Sequence, residues 1–328
     1  MTRSAAVTIF YFSNCIKRVR SKETTAAPER RIYWVESMQS TAAIVTMVRD
    51  DHFFLKAWLR HYGPIFGREN LYIVNHGRGR GVEELAEGCN IIGIPGDPHK
   101  NFDMKRWRLL NNLVMGLRSY YNHVIVGDVD ELVVIDPEEG KTLLEYLEEQ
   151  PIRRVLTPLG LEVIHRIDEE PEAITDKILG PRRHVRLAPH YSKPCVISAG
   201  TKIARGGHYT QYGKLFTPDC LYLMHLKFCD FPEYTAAMDR RNAVTDEIGD
   251  DVKEISIGRH WFAEARGEDR ATFEAFADLE MVEGFDMRLY RRKMQRSFGP
   301  RGDTGFYNFA RPDYKLQFKL PERFSGIF

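Results

Sequence analysis

The hydrophobic pattern organises most of the chain. From Ala42 to Val48 (AAIVTMV), small, apolar and β-branched residues follow one another without a charge. That is the pattern of a strand buried on both faces. Asp51 then stands where a helix N-cap belongs. Phe54, Trp58 and His61 recur near helical spacing, and Gly63-Pro64 predicts the helix end. A second strand is expected over 71–74, followed by the glycine-rich turn at 77–81, a short helix over 82–87 and a third strand over 90–95. Residues 104–121 put Trp107, Leu110, Leu113, Val114 and Leu117 on one helical face. A fourth apolar run, 123–126, leads into Gly127-Asp128-Val129-Asp130-Glu131.

Strands alternating with helices predict an α/β fold, a Rossmann-like, mainly parallel central sheet flanked by helices. Ligands in such sheets sit at the carboxyl ends of strands. That rule selects residues 49–51, 75–76 and 128–131. After a helix over 141–149 the alternation fades. Strands are expected over 154–164, 184–188, 195–204 and 220–226, with helices over 231–248 and about 270–294.

Composition narrows the function classes. Forty-seven Lys+Arg against 46 Asp+Glu give a net charge of +1, which argues against a nucleic-acid binder. No apolar run is long enough to span a bilayer. Five scattered cysteines suit free thiols and a cytoplasmic setting better than a disulfide framework. The first 38 residues read as a basic, poorly ordered extension, with Met38 an alternative start. Residues 39–250 read as the main ligand-binding domain and 251–328 as a helical, basic region packed on it. Arg288, Arg291, Arg292, Lys293, Arg296 and Arg301 suit a solvated helix face, an anionic acceptor or peripheral contact with an anionic membrane.

The sharpest chemical feature is Asp128-Val129-Asp130-Glu131 at a predicted strand end. Two carboxylates this close repel unless a cation compensates. A divalent Mg²⁺ or Mn²⁺ commonly bridges protein carboxylates to substrate phosphates. A solvated turn is the plainer alternative. Cys220, His225 and Cys229 match no common structural zinc spacing.

With these residues the chain resembles the GT-A-type glycosyltransferases, in their family 2-like branch. Three motifs carry the resemblance: the first strand leading to Arg49-Asp50-Asp51 and then Leu55-Lys56-Ala57-Trp58-Leu59-Arg60-His61-Tyr62; Asp128-Val129-Asp130-Glu131-Leu132; and Leu223-Met224-His225-Leu226 on a later strand. One departure stands out. Where the family's second strand often ends in Asp-Asp-x-Ser-x-Asp, this chain has Asn75-His76-Gly77-Arg78-Gly79-Arg80.

The resemblance implies a metal-dependent transfer of a sugar from a nucleotide-sugar donor to an acceptor hydroxyl. It implies inversion, with a carbohydrate or lipid-linked acceptor in surface polysaccharide or glycan synthesis. Asp128, Asp130 and His225 are then the metal ligands. Arg49, Asp51, Asn75, Lys105 and Asp128 are candidates for binding the donor nucleotide. An inverting transfer needs a base. His208, in Arg205-Gly206-Gly207-His208, Glu162 and His165 are the candidates, with His208 and Glu162 ranked first, and Glu131 orients a metal ligand or contacts the sugar. Two other classes remain open: a haloacid-dehalogenase-like phosphohydrolase, which also uses Asp-x-Asp after an apolar run, and a non-catalytic nucleotide- or carbohydrate-binding protein on the same fold.

Overall fold

The computed structural model describes residues 41–96, 101–204, 206–248 and 269–328. The expected N-terminal extension and residues 251–268 of the C-terminal region lie outside the described residues. Strand β1 (Ala42–Val48) is buried throughout, and its alternating side chains serve two cores. Ile44 and Val48 face the cluster containing Trp58 and Tyr62 of α1 (His52–Phe66). Val45 and Met47 face a second cluster with Trp107, Leu110 and Val114. A strand covered on both faces needs no polar alternation, which is why the run could be read locally.

The next elements are β2 (Leu71–His76), α2 (Arg80–Leu85), β3 (Asn90–Ile94), α3 (Phe102–Leu117) and β4 (His123–Asp128). The order β3-β2-β1-β4 is parallel throughout. The chain then turns through Val129-Asp130 and enters β5 (Glu131–Ile135), which belongs to a different sheet. After α4 (Leu143–Glu148) come β6 (Val155–Leu156), β7 (Leu159–Ile164), β8 (His184–Leu187) and β9 (Val196–Ile197). Strands β9 and β6 extend the first sheet beyond β4 with antiparallel pairing.

Strands β10 (Ile203–Ala204) and β11 (Tyr209–Thr210) precede the long β12 (Leu221–Phe228) and helix α5 (Phe231–Ile248). The C-terminal part holds α6 (Asp269–Glu274), β13 (Glu280–Val282), α7 (Arg288–Ser297), β14 (Gly299–Pro300), β15 (Tyr307–Asn308) and β16 (Leu316–Lys319). The second six-stranded sheet runs β13-β16-β8-β7-β12-β5, and a small four-stranded sheet joins β10, β11, β15 and β14.

Three expectations are corrected. The fold is α/β, but its sheets are mixed rather than mainly parallel; β12 alone pairs parallel with β7 and antiparallel with β5. The region expected to be helical over 270–294 is broken by β13, and β13 and β16 complete the second sheet. The first helix does not stop at Gly63-Pro64. Pro64 sits inside its last turn, and Gly67, at φ 78°, ends it with its N–H on the Gly63 carbonyl. In the basic α7, Arg291 is buried and donates to the Leu221 carbonyl at 3.0 Å, while Arg292, Lys293 and Arg296 remain exposed. No helix among the described residues is long and apolar enough to cross a membrane.

Strand β5 is an edge strand, and α1 closes that edge. The Val133 N–H donates to Tyr62 Oη at 2.7 Å, and His61 Nε2 lies 2.8 Å from the Val133 carbonyl. The Trp-x-x-His-Tyr segment is therefore a packing and edge-capping device next to the acidic turn. Tyr62→Phe leaves a buried N–H unpaired and is expected to cost about 1–3 kcal/mol, measured by urea unfolding.

Burial, with a smaller push from Lys177, lowers the His61 imidazole to about 4. Its folded value lies below its unfolded value near 6.5, so its contribution is complete above pH 6.5 and is lost as pH falls towards 4. Unfolding experiments across that window are expected to show His61 contributing a slope of up to about 1.4 kcal/mol per pH unit. His61→Gln, which keeps a donor and cannot charge, should remove that share of the slope.

Candidate functional site

The acidic turn lies at the junction of the two large sheets. Asp128 is the last residue of β4, beside Met47 at the end of β1, and Glu131 opens β5 opposite His225 of β12. The Leu226 N–H donates to the Asp130 carbonyl at 2.9 Å, tying the turn to β12. A cavity of about 780 Å³ opens there. Its walls come from the ends of β1 and β2, the start of α3, the acidic turn, β12 and the segments around 186–193, 206–209 and 311–313.

One wall carries buried positive charge. Arg106 of α3 ion-pairs with Asp128. Lys193 Nζ reaches Glu131 Oε1 at 2.5 Å and Asp128 Oδ2 at 3.3 Å. Arg106 and Lys193 are 6% and 4% exposed, so these are interior charges with little solvent screening. Lys193 arrives because the turn before it sits directly on β7. A Cβ on Gly160 would lie 2.4 Å from the Tyr191 carbonyl carbon, and the Gly160 N–H donates to Ser192 Oγ at 2.7 Å. The same turn delivers Tyr191.

A second group in the lining centres on His225. Its Nδ1 lies 2.8 Å from Glu162 Oε1 and its Nε2 lies 3.4 Å from Asp130 Oδ2. Tyr191 stacks on the ring at 3.6 Å between centroids. Burial disfavours the charged imidazolium, but Asp130 and Glu162 outweigh it and push His225 up to about 9. Burial likewise works against the Asp130 carboxylate, and His225, followed by Lys193, holds it below the ordinary carboxylate range.

The structure brings Asp128, Asp130, Glu131, His225, Arg49, Asp51 and His208 to the cavity wall. Asp51 occupies the N-cap position of α1, yet its side chain makes no cap bond. Burial and then Asp130 raise its carboxyl to about 7. His208 lines the cavity, and its Nδ1 has no hydrogen-bond partner. Burial, with Lys193 and Arg311, lowers its imidazole to about 2, so it stays neutral.

Three expected site residues lie elsewhere. Glu162 is fully buried behind His225 and ion-paired with Arg186, which removes it from contact with an acceptor. Asn75 is also fully buried; it accepts from the Gly79 N–H at 3.1 Å and donates to the Gly79 carbonyl at 3.0 Å, bracketing the glycine-rich turn. Lys105 is exposed on α3 and does not line the cavity, whereas its neighbour Arg106 does. His165, also considered as a base, is buried and bonded to the Glu170 carbonyl and the Phe231 N–H. Of the two glycines before His208, Gly206 lines the cavity, while Gly207 packs on protein: a Cβ there would lie 2.9 Å from the Trp107 ring. The four cysteines among the described residues are free.

Tyr191 and Lys193 escape local reading, because they lie on a turn with no motif. Arg106 sits in a run of basic residues, with Lys105 and Arg108, that reads as a solvent face or as phosphate contacts, and nothing local separates it from its neighbours. Gly160, inside an apolar strand, is the one signal, since such a glycine marks close backbone approach.

Among the described residues no group of three or more His, Cys, Asp or Glu side chains is arranged to hold a metal ion. Asp130 and His225 nevertheless suit two places on one. Adjacent ligands of an octahedral divalent ion stand about 3 Å apart, close to the observed 3.4 Å. The proton on Nε2 would leave as a cation binds. Asp128 suits a direct ligand poorly, because Arg106 and Lys193 engage its two oxygens. Substrate oxygens and water would complete such a shell.

No known protein family matches this chain. No curated protein matches it in sequence. Among solved structures, it is similar to the mannose-1-phosphate geranyltransferase from Thermus thermophilus, at 10% identity and a TM-score of 0.26, over 85% of this chain and 74% of that one. A likeness of that size bears on neither chemistry nor substrate.

Proposed function

We propose that the protein is a GT-A-like glycosyltransferase that moves a sugar from a nucleotide-sugar to an acceptor hydroxyl with a divalent cation. One observation carries the reading. Asp130 and His225, spaced for a cation, line the same cavity as buried Arg106 and Lys193, at the carboxyl ends of β1 and β4. Such a cavity suits a diphosphate leaving group.

A cation bound at Asp130 and His225 would neutralise charge developing on the departing diphosphate. Arg106 and Lys193 add fixed positive charge to the same lining, and Asp128 holds both in place. At the end of β2, His76 stacks on Phe102 with ring centroids 5.2 Å apart, offering a planar face to a nucleobase where the family's acidic motif is absent. Arg49 lies on the same side, 3.4 Å from the Gly96 carbonyl. His208 takes the acceptor proton. It is neutral and lines the cavity; burial is the larger cause of its low basicity, and donor negative charge near Lys193 and Arg311 would relieve the smaller, repulsive part.

The phosphohydrolase reading fits less well, because its nucleophile would be Asp128, which Arg106 and Lys193 hold. The test is a panel of nucleotide-sugars with Mn²⁺ or chelator. Metal-dependent hydrolysis or transfer from at least one donor is expected. Robust turnover of a generic phosphate ester, abolished by Asp128→Asn, would overturn the assignment. Binding without turnover across the panel would favour a non-catalytic carbohydrate- or nucleotide-binding protein.

A further inference from the structure

His225 is held from three sides, and only one of them is the cavity. Glu162 lies behind it in the neighbouring parallel strand, in direct register with His225. Glu162 is fully buried and carries two partners: Arg186 on Oε2 and His225 Nδ1 on Oε1. A carboxylate ion-paired with a guanidinium is ionised, and an ionised carboxylate only accepts hydrogen bonds. Nδ1 must therefore be the donor. Any lone pair the ring presents is then on Nε2, which points towards Asp130. Tyr191 stacks at 3.6 Å with only 16° between the ring planes, leaving little room for the imidazole to rotate. Gly160 and Ser192 fix the turn that carries Tyr191.

We infer that Glu162, backed by Arg186 and with Tyr191 as a lateral stop, is the positioning residue that sets the tautomer and direction of His225 for cation binding. This rests on the cation-binding reading of Asp130 and His225 above. Glu162 thus acts through His225, as outer carboxylates do in carboxylate–histidine–metal arrangements. It explains why a buried carboxylate stands on an otherwise apolar strand. Val163 and Leu161 beside it are core residues, and a burial requirement alone would be met by another aliphatic side chain.

The experiment measures Mn²⁺ affinity on the full chain without donor or acceptor, from the electron paramagnetic resonance signal of free Mn²⁺. Wild type is expected to bind. Glu162→Gln should weaken binding by about 10- to 100-fold, and His225→Ala at least as much. The double variant should bind no more weakly than His225→Ala, because Glu162 has nothing left to position. Wild-type binding with an unchanged Glu162→Gln overturns the positioning role alone, as does a loss in the double variant that adds to His225→Ala. No Mn²⁺ binding by wild type overturns the cation site and this inference together.

A second measurement does not depend on the buried variant folding. The ¹⁵N shifts of His225 in Mg²⁺-loaded wild type should report a protonated Nδ1 and a deprotonated Nε2. The opposite tautomer contradicts the assignment.

Discussion

Asp130→Ala is expected to lower the turnover of any active donor by at least about 10³-fold while leaving the protein folded. The size follows from the charge involved. Removing the carboxylate takes away one of the two protein positions proposed for the cation, and metal stabilisation of a leaving group is worth several kcal/mol, with each 1.36 kcal/mol a factor of ten in rate. The fold should tolerate the change, since the side chain is about one-fifth exposed and lies on a turn that its backbone carbonyl already anchors to Leu226. Steady-state kinetics with Mn²⁺, together with circular dichroism, check both halves. Turnover within about threefold of wild type would remove Asp130 from the chemistry.

Lys193→Met is expected to be the most damaging single substitution for stability. Among the described residues, Lys193 is the ion-pair partner of buried Glu131, whose Oε2 has no hydrogen-bond partner. Removing the ammonium strands two carboxylates, Glu131 deeply and Asp128 in part. Breaking a buried pair from one side costs about 3–5 kcal/mol. Adding Glu131→Gln should restore much of the loss, because the neutral amide carries no stranded charge. Urea unfolding of the wild type, both single variants and the double variant gives the coupling directly. A Lys193→Met loss under about 1 kcal/mol, or no recovery in the double variant, would contradict this account of the wall.

These two predictions divide the site by how readable it was. Asp128 and Asp130 are legible because an apolar run leading to paired carboxylates is a local pattern, and the strand-end rule assigns it a place. Their companions are not local. Lys193 comes from a turn 65 residues beyond Asp128, seated by the absence of a side chain at Gly160. Glu162 is legible as a candidate but not as a buried one; its register against His225 depends on which strands pair. The same limit explains the sheets. Hydrophobic runs announce strands such as β1 but carry no direction, so a parallel sheet is the natural expectation until β5, β9 and β16 add antiparallel pairings.

The Trp-x-x-His-Tyr segment makes a related point. Its regular spacing was legible, but its work is to cap the edge of β5 through Val133, which no helical periodicity reveals. Position in a motif and contact with substrate are separate properties here. Asp51, from the same region, does reach the cavity, while Trp58, His61 and Tyr62 hold the strand that begins with Glu131.

The central claim is that Asp130 and His225 hold a cation that binds a nucleoside diphosphate in the cavity that Arg106 and Lys193 also line. Thermal unfolding with a panel of nucleoside diphosphates, in Mn²⁺ and in chelator, tests it most directly. At least one nucleotide should raise the midpoint in Mn²⁺, lose that effect in chelator, and fail to shift Asp130→Ala. If no nucleoside diphosphate shifts the wild-type protein under any metal condition, the claim is wrong.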